Sequence, residues 1–487
     1  MFYLFLEWNS PANHLEPFIV SGIALFACRY CIPSKINQKI QQINIQSITN
    51  LVREYLTTDP IAFDKEIQEE FYQSNPIVLF IRKAYQQFPF YDNPFGRYAQ
   101  PKILFHELPK QIQGKPDVPD FNLEAKFQEL NGVSLIDFIT VGFVTSAVSR
   151  GNFTFSQAFF NKARSQGINL PKEQELQLVI NQLATDSSQI KNLYNKYQNS
   201  DRRFAMYDFN PLFLYPVIRP CKGKQFQRIT PNQDFFHAPL PQLIDYRIST
   251  GIYYQLFNEY KEDFSKYFGY LFETYVGEVI KNCLTSETLL SETKIRQFYP
   301  TNKGKVPDWI VVDSNTLILI ECKATRFSRA AQAIASEDVI NKSLAQVKKG
   351  LKQLNSFINA CKLKLPELER FQDCNIFKPV LITFEPLELI NSEFFRKHIN
   401  QLLQEEGIQD LAWQILSVGN LEILQPHLAT GIKLTQVLDE LWNKTFNEVL
   451  DSLCLKTNRS YGDSFSYPQQ EELYQKLGIP DVERDLN

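Results

Sequence analysis

The stretch "VPDWIVVDSNTLILIECKA", residues 306–324, constrains this chain more than any other. It holds two apolar runs, "WIVV" and "TLILI", joined by the polar, turn-prone "DSNT". Short runs rich in Ile, Val and Leu and bounded by turn residues read as strands. Their lack of polar alternation reads as strands covered on both faces. Asp308 opens the first run, and Glu321 and Lys323 close the second. Strand side chains alternate between faces, so Glu321 and Lys323 share one side and Cys322 takes the other. Folded as a hairpin through "DSNT", the runs bring Asp308 beside Glu321. Carboxylates so placed repel one another unless a cation lies between them. Hard oxygen donors suit Mg²⁺ or Mn²⁺, which also take phosphate oxygens. An ammonium alongside suits an attacking water or the charge that builds on a phosphoryl group. Any one of these residues alone would read as a surface ion pair or a turn; the three together read as a site.

The surrounding pattern places that hairpin in an α/β chain. Residues 1–205 read as a mostly helical N-terminal region, with helical spacing in "KINQKIQQINIQSITNLVREYL" and "EQELQLVINQLATDSSQIKNLYNKY". Residues 206–260 read as a β-hairpin or connector, "PVIRPCKGKQFQRITPNQDFF", followed by the start of a long aromatic-rich helix over about 248–284. Then "TKIRQFYP", "DWIVVD", "TLILIECKA" and "KPVLITFEPL" read as strands, with a helix over 330–361 between the last two. A helix linking two strands is the parallel crossover pattern. "AWQILSVGNLEIL" adds a further strand. These elements span 261–430, and 431–487 read as a C-terminal helix, "TQVLDELWNKTFNEVLDSLC", and a polar tail.

With 44% hydrophobic and 22% charged residues, the chain has the makeup of a folded protein rather than a disordered one. Its net charge of -3 makes any basic surface a local one. The apolar "PFIVSGIALFACRYCI" is too short to span a bilayer and is interrupted by Arg29, so it reads as a buried helix and the protein as cytoplasmic, with no membrane partner. Its Cys28 and Cys31, without a second pair or a nearby His cluster, read as reduced thiols. There is no Walker A sequence and so no ATP motor.

"VPD" followed by "ECK", with Glu321 thirteen positions after Asp308, resembles the E-x-K form of the PD-(D/E)XK nuclease superfamily. The resemblance covers about residues 262–390. It implies a restriction-endonuclease-like mixed-sheet core of order αβββαβ, flanked by helices and preceded by the helical N-terminal region. It implies a Mg²⁺-dependent (or Mn²⁺-dependent) nuclease with Asp308 and Glu321 on the metal and Lys323 at the water or the transition state. It also implies a third metal-coordinating acid on the helix before the first strand. There Glu273 is preferred over Glu278, because it sits among Leu271, Phe272, Val276 and Ile280, where an acid is costly unless paired or metal-bound. On the helix after the third strand it implies a polar catalytic residue, Gln353 ahead of Gln346.

Over 301–365 there are 11 Lys and Arg against 5 acids, a local balance of 11 − 5 = +6. Lys305, Arg326, Arg329, Lys348, Lys349 and Lys352 are the expected phosphate contacts, which give affinity rather than sequence choice. DNA is the expected substrate, and restriction or anti-phage defence the role that analogy suggests. An activating protein or a second copy is the expected partner, addressed by the N-terminal region as a recognition or regulatory domain. The alternatives are an RNA-directed nuclease effector and a catalytically silent interaction protein on a nuclease fold.

Overall fold

The computed structural model describes residues 98–151, 154–198, 208–219, 235–284, 289–324, 337–409 and 411–460, with isolated positions outside these ranges. Of the apolar segment 17–32, only Val20, Ser21, Gly22 and Ala24 are described, all helical. Cys28, Cys31, most of the helix expected over 35–56, Arg326 and Arg329 lie outside the described residues.

The chain is a mixed α/β structure with two mixed sheets. The smaller sheet is made of β1 (Thr154–Ser156), β2 (Ala184–Asp186), β3 (Val217–Arg219) and β4 (Phe235–His237) in the order β1-β4-β3-β2. The expected pairing within 216–236 is present: β3 and β4 run antiparallel, with Ile218 opposite His237. The expectation of one helix through 173–197 is corrected. It divides into Glu173–Leu183 and Ser187–Lys196 around β2, because Asp186 turns back to accept the Gln189 N–H at 2.8 Å and caps a new helix.

The larger sheet holds β5 (Leu289–Ser291), β6 (Trp309–Asp313), β7 (Thr316–Lys323), β8 (Ile376–Thr383) and β9 (Gln414–Ser417), in that order. β5, β6 and β7 pair antiparallel, and β7, β8 and β9 parallel. Six helices bear on the argument: α1 (Leu135–Gly151), α2 (Thr250–Lys281), α3 (Glu292–Phe298), α4 (Glu337–Lys362), α5 (Glu393–Gln404) and α6 (Val418–Leu428). α4 is the crossover between β7 and β8.

Both faces of the sheet are covered, as the continuous apolar runs require. Trp309, Val311, Ile318 and Ile320 join one core with Phe268, Phe272 and Val276 of α2 and with Phe138 and Val141 of α1. Ile310, Leu317 and Leu319 join a second core with Leu344, Val347, Leu351 and Leu354 of α4. The alternation of odd and even positions between the two cores is the period-2 rule made physical.

Two further expectations are corrected. "TKIRQFYP" is not a strand: the strand is the preceding Leu289–Ser291, and α3 begins at Glu292. Ile295, Phe298 and Tyr299 are spaced for a helix as well as for a strand, and the Ser291 cap together with the Arg296–Glu292 pair one turn apart decides for the helix. The single helix expected over 435–454 is two, Leu434–Leu441 and Phe446–Thr457. Thr445 and Glu448 form a reciprocal capping box that starts the second one. No single helix among the described residues is long and apolar enough to cross a membrane.

Candidate active site

Strand register brings the first two carboxylates together. Trp309 pairs with Ile320, so the next step outward sets Asp308 against Glu321. Asp308 is buried, and its Oδ2 accepts the Cys322 N–H at 2.6 Å. On its other side the Glu292 N–H donates to the Asp308 carbonyl at 2.7 Å, one step beyond the Ser291–Trp309 pair. That bond fixes the first residue of α3 beside Asp308.

Glu273 arrives from the helix packed on the sheet. Gly277 lies one turn further along α2, and a Cβ there would stand 2.1 Å from Trp309 Cζ2. The missing side chain lets α2 rest directly on Trp309, the neighbour of Asp308 in the chain. The same helix face, one turn back, then carries Glu273 to Asp308. One carboxylate oxygen each from Glu273, Glu292 and Asp308 lie within 4.8 Å of one another.

Glu321 stands outside this trio. It is turned to Lys323, which donates to its Oε1, and to Gln353, whose Nε2 donates to its Oε2 at 2.7 Å. The same Nε2 reaches the Val306 carbonyl, also at 2.7 Å, so Gln353 ties α4 to both ends of the hairpin's open side. Gly350 makes the approach of α4 feasible: a Cβ there would meet Leu381 Cδ2 at 2.7 Å and the Lys323 Cε at 3.3 Å.

The electrostatics follow from the crowding. Burial, then Asp308 and Glu292, push the Glu273 carboxyl up to about 8. Burial and Asp308 push Glu321 to about 8 as well, against the pull of Lys323. Burial raises Asp308 to about 6, opposed by Lys323 and the Cys322 N–H. For Lys323, burial works toward a lower value, but Glu321 and Asp308 outweigh it and hold the amine above its ordinary range. Two unit charges 4.8 Å apart cost about 3 kcal/mol at an effective dielectric of about 20. The trio is therefore relieved by protons or by a cation. Three hard oxygen donors from carboxylates form a set that suits Mg²⁺ or Mn²⁺.

Asp308, Glu321, Lys323, Glu273 and Gln353 thus meet at one end of the sheet. Glu278 does not; it pairs with Lys281 at 2.8 Å. Gln346 is exposed. Of the basic residues, Lys305 is exposed and adjoins Val306, the residue held by Gln353. Lys348 and Lys352 both bind Glu406 beyond the end of α5, the former at 2.7 Å. At 100° per residue they lie about 140° and about 100° around α4 from Gln353, whereas Lys349 lies about 40° from it. Glu292 was missed in the sequence because 293–300 read as a strand. Starting a helix at Ser291, as "SETKIRQF" allows, would have set Glu292 at its first turn, beside the strand end.

No family model, curated protein or solved structure matches this chain.

Proposed function

We propose that this protein is a metal-dependent nuclease that hydrolyses phosphodiester bonds, in DNA ahead of RNA, on a PD-(D/E)XK-type core formed by α2, β5–β9 and α4. The single observation that supports the reading is the convergence at one sheet end of Asp308, Glu321 and Lys323 with the trio partners Glu273 and Glu292.

In this reading Asp308, Glu273 and Glu292 hold the Mg²⁺ or Mn²⁺. When bound, the ion supplies neutralisation of phosphate charge and acidification of water. Lys323 keeps its proton at neutral pH, because Glu321 and Asp308 raise its affinity for it. It acts as a fixed cation beside the phosphoryl group rather than as a base. Glu321, expected as a metal ligand, serves as the anchor of Lys323, and Gln353 orients Glu321. Asp308 and Glu321 are buried while Glu273 and Glu292 are half-buried, so charges on the inner side of the site act through less solvent than those at its mouth.

The test is cleavage of circular and linear DNA, and of matched RNA, in Mg²⁺, Mn²⁺ or EDTA. The native protein is compared with Asp308→Ala and Lys323→Ala. Cation-dependent cutting lost in both variants is the expected result. Cutting that survives both variants, or none on any substrate, would overturn the reading.

A further inference from the structure

We propose that the flank of α4 carrying Lys342, Gln346 and Lys349 is the track along which a nucleic-acid strand reaches the site. The proposal rests on the nuclease reading above. Lys342, Gln346, Lys349 and Gln353 are spaced four, three and four apart, which sets them along one face of a helix. The last of them hydrogen-bonds Glu321, so the stripe begins at the site. A helix that links two parallel strands runs back along them. The residues of α4 before Gly350, which sits against Lys323, therefore project past the end of β7. The stripe leads outward from the site over that projecting part.

The lysines of the same helix differ in whether an acid already holds them. Lys342, Gln346 and Lys349 are exposed, and neither lysine forms an ion pair with a described residue. Lys352 and Lys348, about 60° and about 100° further round the helix than Lys349, share the carboxylate of Glu406. Next to the site, a phosphate chain thus finds among the described residues of α4 two unpaired lysines, Lys342 and Lys349, on the side that carries Gln353, with the Gln346 amide between them as a hydrogen-bond donor to phosphate oxygens. From 342 to 353 the helix rises about 16 Å. That matches the axial rise of about five nucleotides of one strand.

The experiment measures the affinity of a labelled DNA duplex, and of RNA of the same sequence, as a function of salt. The parent is the full chain carrying Asp308→Asn, which removes cutting. It is compared with the same chain bearing Lys342→Ala and Lys349→Ala, or Lys348→Ala and Lys352→Ala, with thermal melting recorded for each. Each lost phosphate contact lowers the slope of log K against log salt by about 0.9 for duplex DNA. The first pair is expected to lower it by about 1.8 and the second pair to leave it unchanged, with melting unaltered in both. An unchanged slope for the first pair, or equal losses for both pairs, would overturn the track while leaving the nuclease reading intact. A parent that binds neither nucleic acid, together with a native protein that cuts neither, would remove both.

Discussion

Two aspartates stand at opposite ends of β6, five residues apart, and their surroundings are inverted. Asp313 lies at the turn end. Burial works to raise its carboxyl, but Lys433, Thr435 and Ser314 hold it below the ordinary range, with bonds of 2.7 Å from Lys433 and 2.6 Å from Thr435. Asp308 lies at the open end, where burial, against Lys323 and the Cys322 N–H and with Glu292 adding to it, lifts its carboxyl to about 6. One end of the hairpin is arranged for the stability of a charge, and the other accepts destabilisation. The crowding of acids at that end is costly to the fold unless protons or a cation relieve it, and the proposed metal site rests on this cost.

The largest effect that would break this contrast lies in activity. Asp308→Ala is expected to lower cation-dependent cleavage by about 10²–10³-fold, the scale of losing one electrostatic support of a transition state. Asp313→Ala should leave the cleavage rate within about twofold. Equal losses at both ends would show that β6 matters only as scaffold.

Next comes Gly350→Ala. The added methyl must displace Leu381 or move α4, and it presses on the Lys323 Cε at 3.3 Å. A misplacement near 1 Å can cost about 10²-fold, so a loss of about 10–100-fold in rate is expected, with DNA affinity little changed. Gly277→Ala presses on Trp309 rather than on the site's lysine. It should cost about 1–3 kcal/mol in denaturant unfolding.

The pH dependence sharpens the comparison with opposite signs. A carboxyl whose folded value is raised favours the protonated fold. The cation-free protein should therefore lose stability as pH climbs from the ordinary carboxyl range through about 8, where Glu273 and Glu321 ionise. Mg²⁺ or Mn²⁺ should flatten that decline, and Asp308→Asn should lessen it. Thermal melting from pH 5 to 9 with and without the cation checks all three; a flat cation-free profile would contradict them.

The smallest effect is at the other end. The carboxyl of Asp313 is held low, so it contributes stability above the ordinary carboxyl range that disappears as pH falls through its folded value. Its partner Lys433 is well exposed, so Asp313→Asn should cost less than about 1 kcal/mol at neutral pH.

Much of this arrangement was legible in the chain itself. The two apolar runs, the turn "DSNT" and the charges at the run ends specify the hairpin, its register and the shared face of Glu321 and Lys323, because a strand's period of two leaves little freedom. The choice of Glu273 over Glu278 and of Gln353 over Gln346 followed from which helix positions are flanked by apolar neighbours, a local property. Glu292 was not legible, because Ile295 and its neighbours fit either period and only the Ser291 cap and the pairing of β5 with β6 settle where the strand ends.

What the sequence alone determined is therefore the set of side chains that a strand pair must bring to its open end. What only the tertiary structure decided is how those charges are shared. Glu321 is claimed by Lys323 and Gln353, Glu292 takes its place beside Asp308 and Glu273, and Lys348 and Lys352 are claimed by Glu406. The reason is physical: periodicity acts along the chain over a few residues, whereas a charge selects its partner by distance in space, across elements far apart in sequence.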